Sequence, residues 1–206
     1  MHHPASLRPG HATLPIGDID AGAGVTGRER VDQLRPVDHD LFDMLRQRRA
    51  DPVAVVTAVA RNSRGRGPVG RDAPSRAGFT ATTFATVSLN PPRVSFCHDP
   101  AAPTASVLER AEHVAVHLLA ANQTQAATIF ATSGIDPFAS YPYWESGPFG
   151  LPLLTGVLGV LLCQVVHRIS VGDQSMVIAE PLALSAGIDG DPLLHHHGGY
   201  ATVTSV

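Results

Sequence analysis

The stretch Gly78–Cys97, GFTATTFATVSLNPPRVSFC, carries the strongest information about the fold. β-Branched and aromatic residues recur through it, which is typical of β-strands. Proline has no N–H for a sheet ladder and restricts the residue before it, so Asn90–Pro92 predicts a turn between the strands TTFATVS and RVSFCHD. Four threonines and two serines lie in the stretch. Such hydroxyls either end strands through local hydrogen bonds or line a pocket for a polar ligand.

Upstream of this stretch, the sequence predicts one helix and one strand. Asp38 is a good helix N-cap, and the residues after it predict a helix that turns Leu41, Phe42 and Leu45 inward before RQRRA. Asp51-Pro52 ends that helix. The β-branched run VAVVTAVA, residues 53–60, then predicts a buried strand.

Downstream, short helices are few and strands dominate. TASVLERA predicts a short helix capped by Thr104, HVAVHLLA a strand, and NQTQAATIFAT a helix with Asn122 as its cap. Three further strands are predicted from GVLGVLLCQVVHRISV, QSMVIAEPLALS and GYATVTSV. This order favours a mainly β fold with short helices, an antiparallel barrel or sandwich rather than a parallel sheet.

Composition bounds the domain organisation. The chain has 206 residues, which fits one domain with a tail. Residues 1–36 are rich in Gly, Pro, His and Asp and show no hydrophobic period, so we expect a flexible N-terminal tail. An arm that lies over a partner subunit is the alternative. Residues 37–206 are expected to form the domain.

Charge and hydropathy exclude several classes of function. The net charge is −3, which argues against a nucleic-acid-binding protein. No apolar run reaches the roughly 18 residues that a membrane-spanning helix needs. The N-terminus lacks the basic and apolar regions of a signal peptide, so we expect a cytoplasmic protein. Cys97 and Cys163 lie in separate apolar runs and are expected to be reduced thiols.

No metal site is predicted. The three consecutive histidines His195–His197 would alternate in direction along an extended segment, so they cannot readily converge on one ion. His113, His117 and His167 alternate with apolar residues on predicted strands, and we expect them to face solvent or satisfied partners. Neither a Walker-type loop nor a Rossmann glycine motif is present.

The segment Arg61–Ala77 reads as a long loop that contains five arginines. One interpretation is a mobile surface loop without a role. Another is a lid whose guanidinium groups bind a phosphate. A nucleic-acid patch is the third, although no aromatic residues alternate with these arginines as single-strand binding requires.

Taken in order, the predicted strands and motifs of about Leu41 to Val203 resemble the flavin reductase-like family, whose fold is an FMN-binding split barrel. GFTATTFATVSLNPP resembles the family signature G-x-T-A-[ST]-S-F-x-S-V-S-x-x-P-P. The segments FCHDPAAPTASVL, LPLLTGVLGVLLCQVV, VGDQSMVIAEP and PLLHHHGGYATV resemble later family segments in the same order. The resemblance implies an antiparallel split β-barrel.

The resemblance also implies which residues contact the flavin, either FMN or FAD. Hydroxyls and free backbone N–H groups can bond the polar edge and the phosphate of a flavin while the backbone comes close. Thr104 matches a phosphate-side threonine at the start of a helix, and Tyr200 matches a tyrosine of the closing strand. The implied cofactor-binding residues are Thr80, Ala81, Thr82, Thr83, Ser88, Leu89, Cys97, His98, Asp99, Thr104, Gln174 and Tyr200.

Two positions depart from the family pattern. Ala102 stands where the family has a serine two places before Thr104, so one phosphate contact is lost unless an arginine of Arg61–Ala77 replaces it. Gln174 stands where the family often has a histidine, on the nicotinamide side. Glutamine can bond a carboxamide but does not titrate near neutral pH.

The implied function is a flavin reductase that transfers a hydride from NADH or NADPH to FMN or FAD and supplies reduced flavin to a partner monooxygenase. The cofactors carry this chemistry, so no catalytic acid or base is expected. The family pattern implies a homodimer. The alternatives are a resident-flavin oxidase or oxygenase without efficient NAD(P)H turnover, and a non-enzymatic binding module. The aromatic residues of Phe138–Trp144 and Phe149 would wall the nicotinamide side or form a hydrophobic patch.

Overall fold

The computed structural model describes residues 36–60 and 75–203. Contacts within the chain divide it into a unit that ends at Asp38 and a unit that begins at His39, and the fold below is that of the second unit. The predicted tail and most of the arginine-rich segment, including Arg61, Arg64, Arg66 and Arg71, lie outside the described residues.

The described residues form mostly β-strands with short helices between them. The helices are α1 (His39–Gln47), α2 (Ala105–Leu108), α3 (Thr124–Ala131) and α4 (Pro137–Ser140), with a 3₁₀ turn at Pro148–Gly150. The strands are β1 (Asp51–Pro52), β2 (Ala54–Ala60), β3 (Ser75–Ala81), β4 (Ala85–Leu89), β5 (Pro92–His98), β6 (His113–Leu118), β7 (Trp144–Ser146), β8 (Pro152–Leu154), β9 (Gly159–Val171), β10 (Gln174–Ala186), β11 (Leu194–His196) and β12 (Gly199–Ala201).

The main sheet has the strand order β3-β2-β6-β9-β10-β5-β4, and every neighbouring pair is antiparallel. Its inner face carries the larger core cluster, which includes Val56, Phe96, Val116 and Val177. The alternation of buried residues along the strands places them on this face. The predicted mainly β, antiparallel architecture is confirmed.

A second apolar cluster lies on the other face of the sheet at β2. Val53 and Val55 pack there with Ala126 and Phe130 of α3 and with Phe138 of α4. The predicted aromatic segment therefore contributes Phe138 and Tyr141 to a core, where both are buried. Phe149 instead stacks face to face on His113, with ring centroids 3.8 Å apart.

The sequence predicted the strand TTFATVS, residues 82–88, in a region where the structure has two strands with a break between them. TTFATVS was expected to be a single strand after a loop that ended at Ala77, but β3 already begins at Ser75 and ends at Ala81. The next strand starts only at Ala85. Threonine and phenylalanine are good strand formers, so the local sequence holds no breaker that would reveal the interruption at Thr82–Phe84.

Two expectations about helices were wrong. Helix α1 follows Asp38 as expected, yet Phe42 is 64% exposed and Leu45 is 50% exposed, because no described element packs over that face. Helix α3 has Gln123, not Asn122, at its N-cap position. The Gln123 side chain accepts a hydrogen bond from Ala120 N–H and donates to the carbonyl of Thr155 instead of capping the helix.

His117 lies on β6 and is fully buried in the protein. Its Nδ1 lies 2.9 Å from the carbonyl oxygen of Val55, so Nδ1 carries the proton and Nε2 is left without a partner among the described atoms. Burial lowers the pKa of His117 to about 4, although the bond to Val55 opposes this shift. Cys163 is a buried thiol whose pKa is raised to about 12 by burial.

Within residues 36–60 and 75–203, no helix is long and apolar enough to cross a membrane.

Candidate functional site

A groove of about 450 Å³ opens between the end of β3, the end of β5 and the segment after α3. Nine of the twelve residues predicted to bind the cofactor line this groove. They are Thr80, Ala81, Thr82, Thr83, Cys97, His98, Asp99, Thr104 and Gln174. Residues from β3, β5, the turn before α2 and the start of β10 therefore meet at one groove, and their contact with a cofactor stays a prediction.

The interruption between β3 and β4 forms the polar side of the groove. Thr82–Phe84 belong to neither strand: β3 pairs with β2 only as far as Ala81, and β4 pairs with β5 from Ala85 onward. The peptide groups of Thr82–Phe84 therefore lie outside the residues that pair β3 with β2 and β4 with β5. Backbone N–H groups in such a position are strong donors for a ligand that comes close to the chain.

The three threonine hydroxyls at this interruption have different roles. Thr80 donates to the carbonyl of Ala127 at 2.7 Å and so fastens β3 to α3. Thr83 Oγ1 accepts from the peptide N–H of Cys97 at 2.8 Å and so joins the interruption to β5. The hydroxyl of Thr82 makes no hydrogen bond within the described part of the chain, which leaves it free for a ligand.

The turn between β5 and α2 is held by Asp99. The Asp99 carboxylate accepts from Ala101 N–H at 2.7 Å, and the carbonyls of Asp99 and Ala102 accept from Ala102 N–H and Ala105 N–H. Thr104 lies at the N-cap position of α2 but makes no side-chain capping bond. The Asp99 carboxylate is thus hydrogen-bonded within the turn. Thr104 lines the groove, and its hydroxyl makes no capping bond.

His98 lies under the groove rather than across it. Val94, Phe96 and His98 are buried and alternate along β5, so the imidazole points with them toward the core. The ring lies 6.3 Å from the ring of Phe79. Nδ1 is 3.3 Å from the carbonyl oxygen of Asp99, and Nε2 has no partner among the described atoms.

Gln174 opens β10 beside the groove. The neighbouring residue Ser175 is paired with His98, which brings the start of β10 against the end of β5. The only hydrogen bond of the Gln174 amide in the described residues is a long one, 3.4 Å, to the carbonyl of Asp173. The amide is therefore available to a ligand.

The wall opposite β3 was not predicted as part of the site. It consists of the end of α3 and the turn that follows, with Phe130, Ala131, Thr132, Ser133, Gly134, Ile135 and Pro137 lining the groove. The polar run Thr132–Gly134 after a helix was the available signal. A Cβ on Gly78 would lie 2.5 Å from Cε1 of Phe130, so glycine is what allows this ring to approach β3.

Three predicted cofactor residues lie outside the lining of the groove. Ser88 and Leu89 are at the end of the edge strand β4, and Leu89 is 86% exposed. Tyr200 is on β12, with its ring 6.2 Å from that of His195. The geometry of the described chain does not bring them to the groove, and their contact with a cofactor stays a prediction.

The groove is close to neutral. Asp99 is the sole Asp, Glu, Lys or Arg among the described lining residues, and its charge is directed at the turn. Within the described ranges, no group of three or more His, Cys, Asp or Glu side chains could hold a metal ion. Hydroxyls, peptide groups and amides are therefore the binding groups that the groove offers, and these suit an organic ligand.

Residues 46–204 match the family model described as a flavin reductase like domain. The chain belongs to the flavin reductase-like family. The fold is thus the split barrel of that family. Over 151 residues the chain is 37% identical to an NADH:FMN oxidoreductase of Rhodococcus qingshengii, which covers 71% of this chain and 74% of that protein.

Two further comparisons agree with this membership. The chain is 31% identical over 126 residues to HsaB of Rhodococcus jostii, the reductase subunit of a flavin-dependent monooxygenase, covering 61% of this chain and 64% of that one. The crystal structure of a flavin reductase domain protein from Arthrobacter sp. FB24 superposes with a TM-score of 0.71 at 29% identity. It covers 82% of this chain and 98% of the other.

The groove fits the cofactor of this reductase family in its chemistry. The free hydroxyl of Thr82 and the peptide groups of Thr82 and Thr83 match the hydrogen-bonding edge of a flavin ring. Ala81 and the ring of Phe130 supply the apolar surface that such a ring stacks against. At the turn before α2, the Thr104 hydroxyl is free for a phosphate oxygen.

Proposed function

We propose that this protein is an NADH-dependent flavin reductase that binds FMN or FAD in the groove and supplies reduced flavin to a separate monooxygenase. The observation that carries the proposal is the interruption between β3 and β4, where Thr82, with its free hydroxyl, and Thr83 line a groove in a member of the flavin reductase-like family. The names of the relatives support the reaction, since they include an NADH:FMN oxidoreductase and a monooxygenase reductase subunit.

A flavin, when bound, supplies the hydride-accepting centre, and NADH supplies the hydride. The protein supplies binding and orientation. Thr82 and the neighbouring peptide N–H groups would hold the polar edge of the ring, where donors also stabilise the charge of the reduced form. Thr104 would hold the phosphate. Ala81 and Phe130 would exclude water from the faces that they cover.

Gln174 would orient the nicotinamide. Its amide lies at the groove with one weak bond to its own neighbour, so it can both donate to and accept from a carboxamide. Orientation of this kind shortens the approach between donor and acceptor atoms. Because glutamine does not titrate, hydride transfer should not depend on the protonation state of this residue.

We further propose that the protein acts as a homodimer. Apolar surface is exposed on α1, where Phe42, Met44 and Leu45 are each at least half exposed. A separate apolar cleft of about 440 Å³ lies between the β7–β8 hairpin and the β9–β10 arm, and Leu184 at its edge is 71% exposed. Surface of this kind marks protein interfaces. Sedimentation analysis of the purified chain would test this, and a monomer at micromolar concentration would contradict it.

The test of the function is NADH oxidation in air with and without added FMN. A reductase with diffusible flavin should oxidise NADH at a rate that saturates with FMN. The variant Thr82→Val should raise the FMN concentration needed for half-maximal rate. Thr86→Val, an exposed change on β4 outside the groove, is the matched control.

The second candidate is a flavoprotein with a resident flavin that does oxidase or oxygenase chemistry. The residue that favours it is Gln174, a side chain that does not titrate, at the position where the family resemblance implies a histidine. It predicts flavin that stays with the protein through purification, and negligible NADH oxidation with added FMN. The same assay therefore separates the two candidates.

A further inference from the structure

Arg76 is a cation supported by aromatic rings. Its guanidinium carbon lies 5.0 Å from the ring centroid of Trp144 and 5.6 Å from that of Phe138. The Trp144 ring is fixed because its Nε1–H donates to the carbonyl of Phe138 at 3.0 Å. Arg76 is exposed, and no ion pair among the described residues involves it. One face of the guanidinium is thus engaged with rings while its N–H donors stay available.

This cation lies next to the groove. Arg76 and Gly78 are two residues apart on β3 and therefore point to the same face of the strand. Both adjoin Phe138, because Cζ of that ring lies 3.0 Å from the Cβ position of Gly78. Gly78 and Pro137 line the groove. The guanidinium accordingly adjoins the end of the groove that Gly78 and Pro137 form.

The opposite end holds the other polar groups. Thr83 is bonded to Cys97, and the chain continues from there into the turn that carries Thr104. A strand rises about 3.3 Å per residue, so Arg76 and Ala81 alone are about 16 Å apart along β3. A ligand that contacts both the Thr104 turn and Arg76 must be long.

We infer that Arg76 binds the diphosphate of an adenine dinucleotide that extends past the Gly78 end of the groove. Asp99, an anion, is the one Asp, Glu, Lys or Arg in the described lining of the groove, so the lining supplies no cation and a diphosphate needs one from outside it. The planar fork of arginine matches phosphate oxygens. The dinucleotide is the nicotinamide cosubstrate, because the diphosphate of FAD includes the flavin phosphate that the proposed function assigns to Thr104, and Arg76 is too distant along β3 to bind that same group. This inference rests on the proposed function of the groove.

A direct binding measurement uses ADP, which carries the diphosphate but neither a flavin nor a nicotinamide ring. Trp144 is the single tryptophan of the chain. Its fluorescence, excited near the red edge of absorption, therefore reports on the surroundings of Arg76, whose guanidinium lies over the Trp144 ring. ADP should change this fluorescence saturably in the wild-type protein. Arg76→Gln should abolish the change, and Arg76→Lys should retain part of it, since lysine keeps the charge but loses the fork.

Arg110→Gln is the matched control, because Arg110 is exposed, lies outside the groove lining and carries the same charge. It should bind ADP as the wild type does. Two further titrations identify the dinucleotide. Arg76→Gln should raise KM about tenfold for NADH, as expected for a lost charge-assisted bond, and leave it unchanged for reduced nicotinamide mononucleotide. The variant should leave FMN binding and FAD binding within about twofold of the wild type.

Three results would overturn the inference. ADP could leave Trp144 fluorescence unchanged in the wild type. Arg76→Gln could bind ADP and NADH as Arg110→Gln does. Arg76→Gln could weaken FMN and FAD equally, which would assign Arg76 to the phosphate that FMN itself carries. In each case FMN binding by the wild type would leave the proposed function standing. If the wild type bound neither FMN nor FAD, the proposed function itself would fail.

Discussion

Thr83 Oγ1 accepts a hydrogen bond from the peptide N–H of Cys97 at 2.8 Å, and this bond joins the interruption after β3 to the strand β5. The adjacent Thr82 makes no such bond and faces the groove. Two neighbouring threonines therefore have separable tasks, one in holding the site together and one in binding its ligand.

Replacing Thr82 by valine should weaken flavin binding and leave stability unchanged. The side chain keeps its volume and loses one hydroxyl, which is worth roughly 1 kcal/mol, or about fivefold in the dissociation constant. The quenching of FMN fluorescence on titration with protein measures this. Unchanged affinity in Thr82→Val would contradict the role assigned to this hydroxyl.

Replacing Thr83 by valine should lower the free energy of unfolding by about 1 kcal/mol, because the N–H of Cys97 loses its acceptor. Thr83→Ser keeps the oxygen and should stay within about 0.5 kcal/mol of wild type. Urea unfolding followed by circular dichroism is the measurement. Equal stability of the valine and serine variants would mean that the bond contributes nothing.

Gly78→Ala should damage both the core and the groove. The new methyl group would lie 2.5 and 2.8 Å from two ring carbons of Phe130, which forms part of the second core cluster and also lines the groove. Overpacking of this kind costs about 1–3 kcal/mol.

The matched control is Gly159→Ala, where the nearest atom to the new Cβ is 3.5 Å away. Thermal unfolding and FMN titration should show a loss of stability and affinity in Gly78→Ala alone. The double variant Gly78→Ala with Phe130→Leu should recover part of the stability. A Gly78→Ala protein as stable as Gly159→Ala would show that Phe130 moves aside without cost.

His117 should make the protein less stable in mild acid. The pKa of His117 is about 4 in the folded protein and 6.5 ordinarily. Between these pH values His117 is protonated in the unfolded chain and neutral in the folded chain. The stability contributed by neutral His117 is complete above pH 6.5 and falls as pH drops toward 4, by about 3 kcal/mol in all. Urea unfolding at several pH values measures this slope.

His117→Gln removes the titrating group and should flatten the slope between pH 6.5 and 4. His167→Gln, an exposed histidine on β9, should leave the slope as it is in the wild type. Identical slopes in all three proteins would show that His117 does not govern this dependence.

The sequence predicted the strands well where burial alternates or β-branched residues run together, as in residues 53–60 and 113–118. It could not predict the interruption at Thr82–Phe84, because the pairing partners β2 and β5 are what end β3 and start β4. The wall formed by Phe130 and Thr132–Pro137 was missed for a related reason. It reaches the groove only through tertiary packing of α3 on β3, for which Gly78 leaves room.

The exposed side of α1 shows the limit of hydrophobic periodicity. The pattern of Leu41, Phe42 and Leu45 describes an amphipathic helix correctly, yet Phe42 and Leu45 are exposed in the described chain. Periodicity reports which side of a helix is apolar, and it does not report whether the same chain or another covers that side.

The central claim is hydride transfer from NADH to a flavin in the groove, and an anaerobic stopped-flow experiment tests it most directly. Protein loaded with FMN is mixed with NADH, and absorbance near the oxidised-flavin maximum is followed, with Thr86→Val beside Thr82→Val. Wild type and Thr86→Val should bleach the flavin rapidly. At limiting FMN, Thr82→Val should bleach a smaller fraction of the flavin. Tightly bound flavin that NADH fails to bleach would contradict the central claim.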